Sequence, residues 1–156
     1  MNQEIERRFL VDTHHFSFQD KKKSIKQAYL FFDSHQVFRI RKIDTDYLIA
    51  YKFKKTNINR LEFEYPISLD DGEALFELSK YYIIEKDRYY HKINNQMWEI
   101  DVFHGHNEGL VIAEAELSSE DEYLDIPDWI NREISNEEKY LNFNLSKKPY
   151  TFWNIK

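Results

Sequence analysis

Seven short runs of this chain carry like-charged residues at positions i and i+2, and this pattern limits the possible folds more than any other feature. The pairs are Glu4/Glu6, Arg39/Arg41, Lys52/Lys54, Glu62/Glu64, Lys86/Arg88, Glu99/Asp101 and Glu114/Glu116. In a strand, residues two apart project to the same face. Each pair therefore shares a face, and apolar residues such as Ile5, Ile40, Phe63 and Ile100 fall between them. A solvated sheet face mixes signs, because like charges on neighbouring positions repel. Sorting into acidic and basic strands fits a ligand that is itself divided by charge. Carboxylates on adjacent strands can share a hard cation such as Mg²⁺ or Mn²⁺. Arginine forks and lysine ammonium groups can hold the oxygens of a polyphosphate. A metal–polyphosphate complex offers both partners at once.

Period-two alternation places strands at 3–11, 24–32, 37–43, 47–54, 60–67, 82–92, 96–103 and 110–117. The links within 37–67 are too short for parallel crossovers, so those strands form an antiparallel meander. A helix is expected over 69–81, with Asp70 and Asp71 at its start. Ser118-Ser119-Glu120-Asp121-Glu122 holds two overlapping capping boxes, which predict a short helix, and 136–146 is expected to form a closing helix. About eight strands with few helices make an α+β domain built on an antiparallel, barrel-like sheet. An eight-stranded barrel is near the size at which the interior holds one small ligand. Ile5, Phe9, Phe38, Ile40, Leu61, Phe63, Ile100, Val102 and Val111 are then expected to pack on the outside of the barrel, under the helices.

The chain has 156 residues, as expected of one domain over 1–156. Its 11 Tyr, 12 Phe and 3 Trp suit half-buried pleated surfaces. There is no cysteine, which excludes disulfides, thiolate metal sites and cysteine nucleophiles. No apolar stretch approaches the ~20 residues that span a bilayer, and the first residues lack the pattern of a signal peptide. A cytoplasmic location with no membrane partner is the expectation. A net charge of -6 argues against nucleic acid as partner. The run Lys21-Lys22-Lys23 with Lys26 reads as a solvated loop.

The segment Glu4-Ile5-Glu6-Arg7-Arg8-Phe9-Leu10-Val11 resembles the ExExK segment that defines the triphosphate tunnel metalloenzymes, also called the CYTH superfamily. The resemblance runs from Glu4 to about Leu145. It takes in Gln27-Ala28-Tyr29-Leu30, Arg39-Ile40-Arg41, Lys52, Arg60 with Glu62 and Glu64, Glu85-Lys86-Asp87-Arg88-Tyr89, Glu99-Ile100-Asp101, and Glu114-Ala115-Glu116. It implies an eight-stranded antiparallel tunnel with a few peripheral helices and a C-terminal helix. It also implies a metal set of Glu4, Glu6, Glu64, Asp101, Glu114 and Glu116. The implied triphosphate set is Arg39, Arg41, Lys52, Lys86 and Arg88, to which Arg8 and Arg60 are added as substrate-binding candidates. The resemblance leaves Glu62 between roles; as a mechanistic expectation Glu62, Asp101 and Lys86 are the candidate catalytic residues, with Glu62 or Asp101 to accept the proton. Two positions depart from the family. The ExExK lysine is Arg8, and the Arg-Tyr pair near the C-terminus is Lys139-Tyr140.

Hydrolysis of inorganic tripolyphosphate, with Mg²⁺ or Mn²⁺ as cofactor, is the leading expectation. The length, the first strand and the closing helix are most similar to the short bacterial inorganic tripolyphosphatases. The alternatives are a class IV-type adenylate cyclase, a thiamine or nucleoside triphosphatase, and a non-catalytic polyphosphate-binding module. Those cyclases often carry a His-Phe element before ExExK, where this chain has Met1-Asn2-Gln3. His104-Gly105-His106 reads as a turn and Trp129 as a packing anchor. The aromatic tail Tyr150, Phe152 and Trp153 is expected either to fold back on the barrel or to join a second copy in a homodimer.

Overall fold

The computed structural model describes residues 2–18 and 21–153; Met1 and the last three residues of the expected domain lie outside the described residues. Nine strands form one sheet: β1 (Gln3–Val11), β2 (Lys22–Phe32), β3 (Gln36–Ile43), β4 (Asp46–Lys54), β5 (Asn59–Ile67), β6 (Ile84–Ile93), β7 (Gln96–His104), β8 (Val111–Glu116) and β9 (Ile130–Glu133). The order is β5-β4-β3-β2-β6-β7-β8-β1-β9, and β1 also pairs with β5. That last pairing closes eight antiparallel strands into a barrel. One edge of β1 is shared: Gln3–Ile5 pair with β5, and Phe9–Val11 pair with β9. The tight hairpins between β3 and β4 and between β6 and β7 turn on Asp44 and Asn94, whose positive φ values (53° and 54°) are of the kind that short polar side chains tolerate.

Alternation places the charged pairs inward and the apolar residues outward. Ile5, Phe9, Ile40 and Ile100 are buried as expected. Phe38 is not: it is 37% exposed, because α1 (Leu69–Leu78) roofs only the neighbouring part of that wall. There α1 lays Leu75 and Phe76 on Ala28, Ile40 and Tyr47. Ser68 caps it by accepting a hydrogen bond from the Asp71 backbone N–H. A second cluster on β1, β7 and β8 takes in Phe16, Trp98, Leu124 and Trp129, so Trp129 is a packing anchor. A third gathers Leu145, Tyr140, Tyr150 and Trp153 with Tyr29, Phe103 and Ile112. The aromatic tail therefore folds back on the barrel. Gly105 (φ 63°) opens a short 3₁₀ turn, Gly105–Asn107, between two histidines.

Three expectations are corrected. The capping boxes at Ser118 and Ser119 close a turn and not a helix. Glu122 accepts from the Ser118 backbone N–H at 2.6 Å and Asp121 from the Ser119 hydroxyl at 2.9 Å. No apolar stripe follows to support a helix before Pro127. The closing helix over 136–146 is split into a 3₁₀ turn, Glu138–Tyr140, and α2 (Asn142–Lys147), with Leu141 extended between them (ψ 140°). The break lets Arg8 Nη2 reach the Tyr140 carbonyl at 3.0 Å and brings residues 141–143 over one end of the barrel. The ninth strand, β9, was not expected: four residues are too few to show alternation.

Candidate active site: a charge-sorted tunnel

The barrel order arranges the charges in two arcs. Lys52 on β4, Arg39 and Arg41 on β3, and Lys86 and Arg88 on β6 form a basic wall, with Gln27 and Tyr29 of β2 set into it. Glu99 on β7, Glu114 and Glu116 on β8, Glu4 and Glu6 on β1, and Glu62 on β5 form the acidic wall. Arg8 and Arg60 are basic intrusions into it. Together these residues line a cavity of about 670 Å³.

Ion pairs close both seams between the arcs. At one, Lys52 Nζ lies 3.1 Å from Glu4 Oε1 and 3.7 Å from Glu62 Oε2. Arg39 reaches Glu62 and Glu64 at 3.3 and 3.1 Å, and Arg41 reaches Glu64 at 2.8 Å. At the other, Asp101 accepts Arg88 in a fork, 2.7 and 2.9 Å, and Lys86 at 2.8 Å. Arg88 also approaches Glu99 at 3.2 Å and Glu114 at 3.7 Å.

The structure thus brings the predicted residues into one place, with two differences of position. Glu64 and Asp101 do not line the cavity. Their carboxylates are taken up by bases behind its surface, and Asp101 is 1% exposed. Arg8 lies in the acidic wall, with Nε on Glu114 at 2.9 Å and Nη2 on the Tyr140 carbonyl. Gln27, Tyr29 and Asn142 line the cavity without having been predicted as site residues. The first two share a face of β2, but they are uncharged, so the like-charge pattern passes over them. Gln27 Nε2 donates to the Tyr29 hydroxyl at 2.7 Å, and Lys86 Nζ donates to Asn142 Oδ1 at 3.0 Å.

The electrostatics differ along the walls. Burial, followed by the charges of Glu114 and Glu4, pushes the Glu6 carboxyl up to about 8. Burial also raises Glu99 and Glu116, the latter with Glu4, Glu62 and Glu114 adding to it. Burial acts upward on Glu4 too, but Lys52, Arg39 and Arg60 outweigh it and hold that group at about 2. Burial lowers Lys86 to about 8 although Asp101 opposes it. Among the described residues, no three His, Asp or Glu converge closely enough to hold a metal ion. Arg8 Nη1, Arg39 Nε, Arg41 Nε and Gln27 Oε1 are buried without a hydrogen-bond partner. Three of these are guanidinium donors and Gln27 Oε1 is an acceptor; buried polar atoms of this kind are normally hydrogen-bonded.

Residues 2–150 match the CYTH domain family. The chain belongs to the CYTH family. An inorganic triphosphatase of Acetivibrio thermocellus is 40% identical over 151 residues, covering 96% of this chain and 97% of that one. An inorganic triphosphatase of Nitrosomonas europaea is 32% identical over 150 residues, covering 92% and 96%. The crystal structure of the inorganic triphosphatase NE1496 superposes with a TM-score of 0.67 at 32% identity, covering 92% of this CYTH chain and 97% of that one. No helix among the described residues is long and apolar enough to cross a membrane.

Proposed function

We propose that this CYTH protein is a metal-dependent inorganic triphosphatase, which splits tripolyphosphate into pyrophosphate and phosphate. The observation that carries this reading is the division of one cavity into a basic and an acidic arc, in a chain 40% identical to an inorganic triphosphatase.

The oxygen chemistry of the acidic wall suits a hard divalent cation, Mg²⁺ or Mn²⁺, whose binding would draw together carboxylates that, among the described residues, do not converge on their own. Glu6 and Glu116 face each other across the β1–β8 register, Glu4 and Glu114 lie beside them, and both Glu6 and Glu116 are raised, first by burial and then by the charges of neighbouring carboxylates, Glu4 and Glu114 among them. A group of carboxylates short of positive charge is the environment that an oxygen-seeking cation relieves. Glu4, Glu6, Glu114 and Glu116 would hold such a cation, which would supply charge neutralisation and a water of lowered pKa.

The chain's own residues do the rest. Arg39, Arg41, Lys52, Lys86 and Arg88 bind the phosphoryl oxygens and fix the substrate along the basic wall, where a low local dielectric strengthens each contact. Arg8 and Arg60 add guanidinium donors from the opposite wall. Glu62 lines the cavity, which supports assigning it as the carboxylate that accepts a proton from the attacking water. Asp101 is poorly suited to that role or to metal ligation, because Lys86 and Arg88 occupy both its oxygens and hold it well below the carboxylate range against burial. We assign it to positioning those two bases. Lys86 Nζ, held near 8, can carry or release a proton at neutral pH beside the leaving phosphate.

The test is a substrate panel: purified protein with tripolyphosphate, ATP or thiamine triphosphate, and with Mg²⁺ or Mn²⁺. Preferred release of phosphate from tripolyphosphate is expected. A preference for either organic triphosphate, or cyclic AMP formed from ATP, would reject the substrate assignment.

A further inference from the structure

Lys54 is the one member of the basic pairs that the tunnel does not use. It lies two residues along β4 from Lys52, and it lines a second cavity of about 260 Å³. That cavity adjoins the tunnel and shares Val37, Lys52, Arg60, Leu141 and Phe143 with it. Residues 141–143 thus form a partition, with the tunnel on one side and a vestibule on the other.

The vestibule is basic. Lys52, Lys54, Arg60 and Lys147 contribute four cations, set between the apolar walls of Phe32, Leu141 and Phe143. Its two acids are poor competitors for them. Asp33 is committed to its own turn, accepting from the backbone N–H groups of His35 and Gln36 at 2.8 Å each. Glu138 meets Lys54 at 3.3 Å, but its side chain is 69% exposed, and an exposed pair of this kind is worth little and is easily displaced. Arg60 sits where the two cavities meet. It is 7% exposed and lines both cavities, and among the described residues its guanidinium makes no hydrogen bond or close ion pair, acting on Glu4 only through space. A buried guanidinium whose donors are not hydrogen-bonded has them to offer an anion.

We propose that the vestibule is a second anion site, which takes inorganic phosphate, and that it receives this product from the tunnel across Lys52 and Arg60. The proposal rests on the triphosphatase reading for the source of the phosphate; binding of the ion itself does not depend on it.

The site predicts that inorganic phosphate and tripolyphosphate occupy the protein together. Phosphate should therefore inhibit hydrolysis with a noncompetitive component. In the K54Q/K147Q double variant that component should disappear and calorimetric titration with inorganic phosphate should show affinity reduced about tenfold, as for loss of charge-assisted contacts. Its kcat/KM for tripolyphosphate should stay within about twofold of wild type, since both lysines lie outside the tunnel lining. K54R/K147R should restore phosphate binding. Purely competitive inhibition of the wild type, or equal phosphate affinity in wild type and K54Q/K147Q, would overturn the proposal. If the protein hydrolyses no triphosphate, the titration alone decides whether the anion site exists.

Discussion

Asp101 lies 2.8 Å behind Lys86, and the two side chains are 1% and 2% exposed. Arg88 grips the same carboxylate at 2.7 and 2.9 Å. One carboxylate on β7 thus holds two cations of β6 against the tunnel. Replacing it by asparagine leaves buried Lys86 without its carboxylate partner and Arg88 with only Glu99 and Glu114, at 3.2 and 3.7 Å. Asp101→Asn should therefore cost about 3–5 kcal/mol of stability, read by urea unfolding, and lower kcat more than it raises KM. A loss below 1 kcal/mol would mean that the two bases find other partners.

Arg8 stands where the CYTH family has lysine. Its fork spans Glu114 and the Tyr140 carbonyl, which ties β1 to the segment closing the tunnel. A lysine keeps the charge but cannot make both contacts. Arg8→Lys should retain kcat within about threefold and lose about 1–2 kcal/mol of stability. Arg8→Met should lose the activity as well.

The pH dependence of metal-free protein follows from Glu6 and Lys86. The folded state keeps a proton on Glu6 up to about pH 8, whereas the unfolded chain releases it near 4.5. Between those values the native state binds more protons, so stability falls as pH rises. Lys86 acts above that window. It loses its proton near 8 when folded and near 10.5 when unfolded, so stability recovers from pH 8 to 10.5. Isothermal urea titrations in chelator should find a minimum near pH 8, with a change of roughly 1–2 kcal/mol on the acid side once cavity water is allowed for. Glu6→Gln should flatten that side.

A control outside the tunnel separates stability from chemistry. A Cβ at Gly72 would meet the Tyr47 ring at 2.2 Å, too close for α1 to stay seated. Gly72→Ala should lower stability by about 1–3 kcal/mol, as overpacking does. It should leave kcat/KM at 20 °C within about twofold, because neither residue lines the cavity.

Much of this site was legible in the sequence, because a barrel wall converts period-two spacing directly into a common face. Glu4, Glu6, Arg39, Arg41, Lys52, Lys86, Arg88, Glu114 and Glu116 all reach the cavity as their spacing requires. The order of the arcs was not legible. It depends on β2 lying between β3 and β6 and on β1 closing against β5, which are long-range pairings. Spacing also cannot tell a lining carboxylate from one consumed by its neighbours, and so Asp101 and Glu64 shared the pattern of Glu99 and Glu62. Nor do local signals show the break at Leu141, where the Tyr140 carbonyl accepts from Arg8, over a hundred residues away.

The two charged arcs are expected to act together on a triphosphate. Phosphate release from tripolyphosphate, using chelator-stripped protein with Mg²⁺ or Mn²⁺ added back, tests this for wild type and Glu4→Gln. Wild type should be inactive in chelator and restored by the cation, while Glu4→Gln falls at least about 100-fold at saturating substrate. Equal rates for the two proteins, or full activity in chelator, would show that the acidic arc and its cation take no part in the hydrolysis.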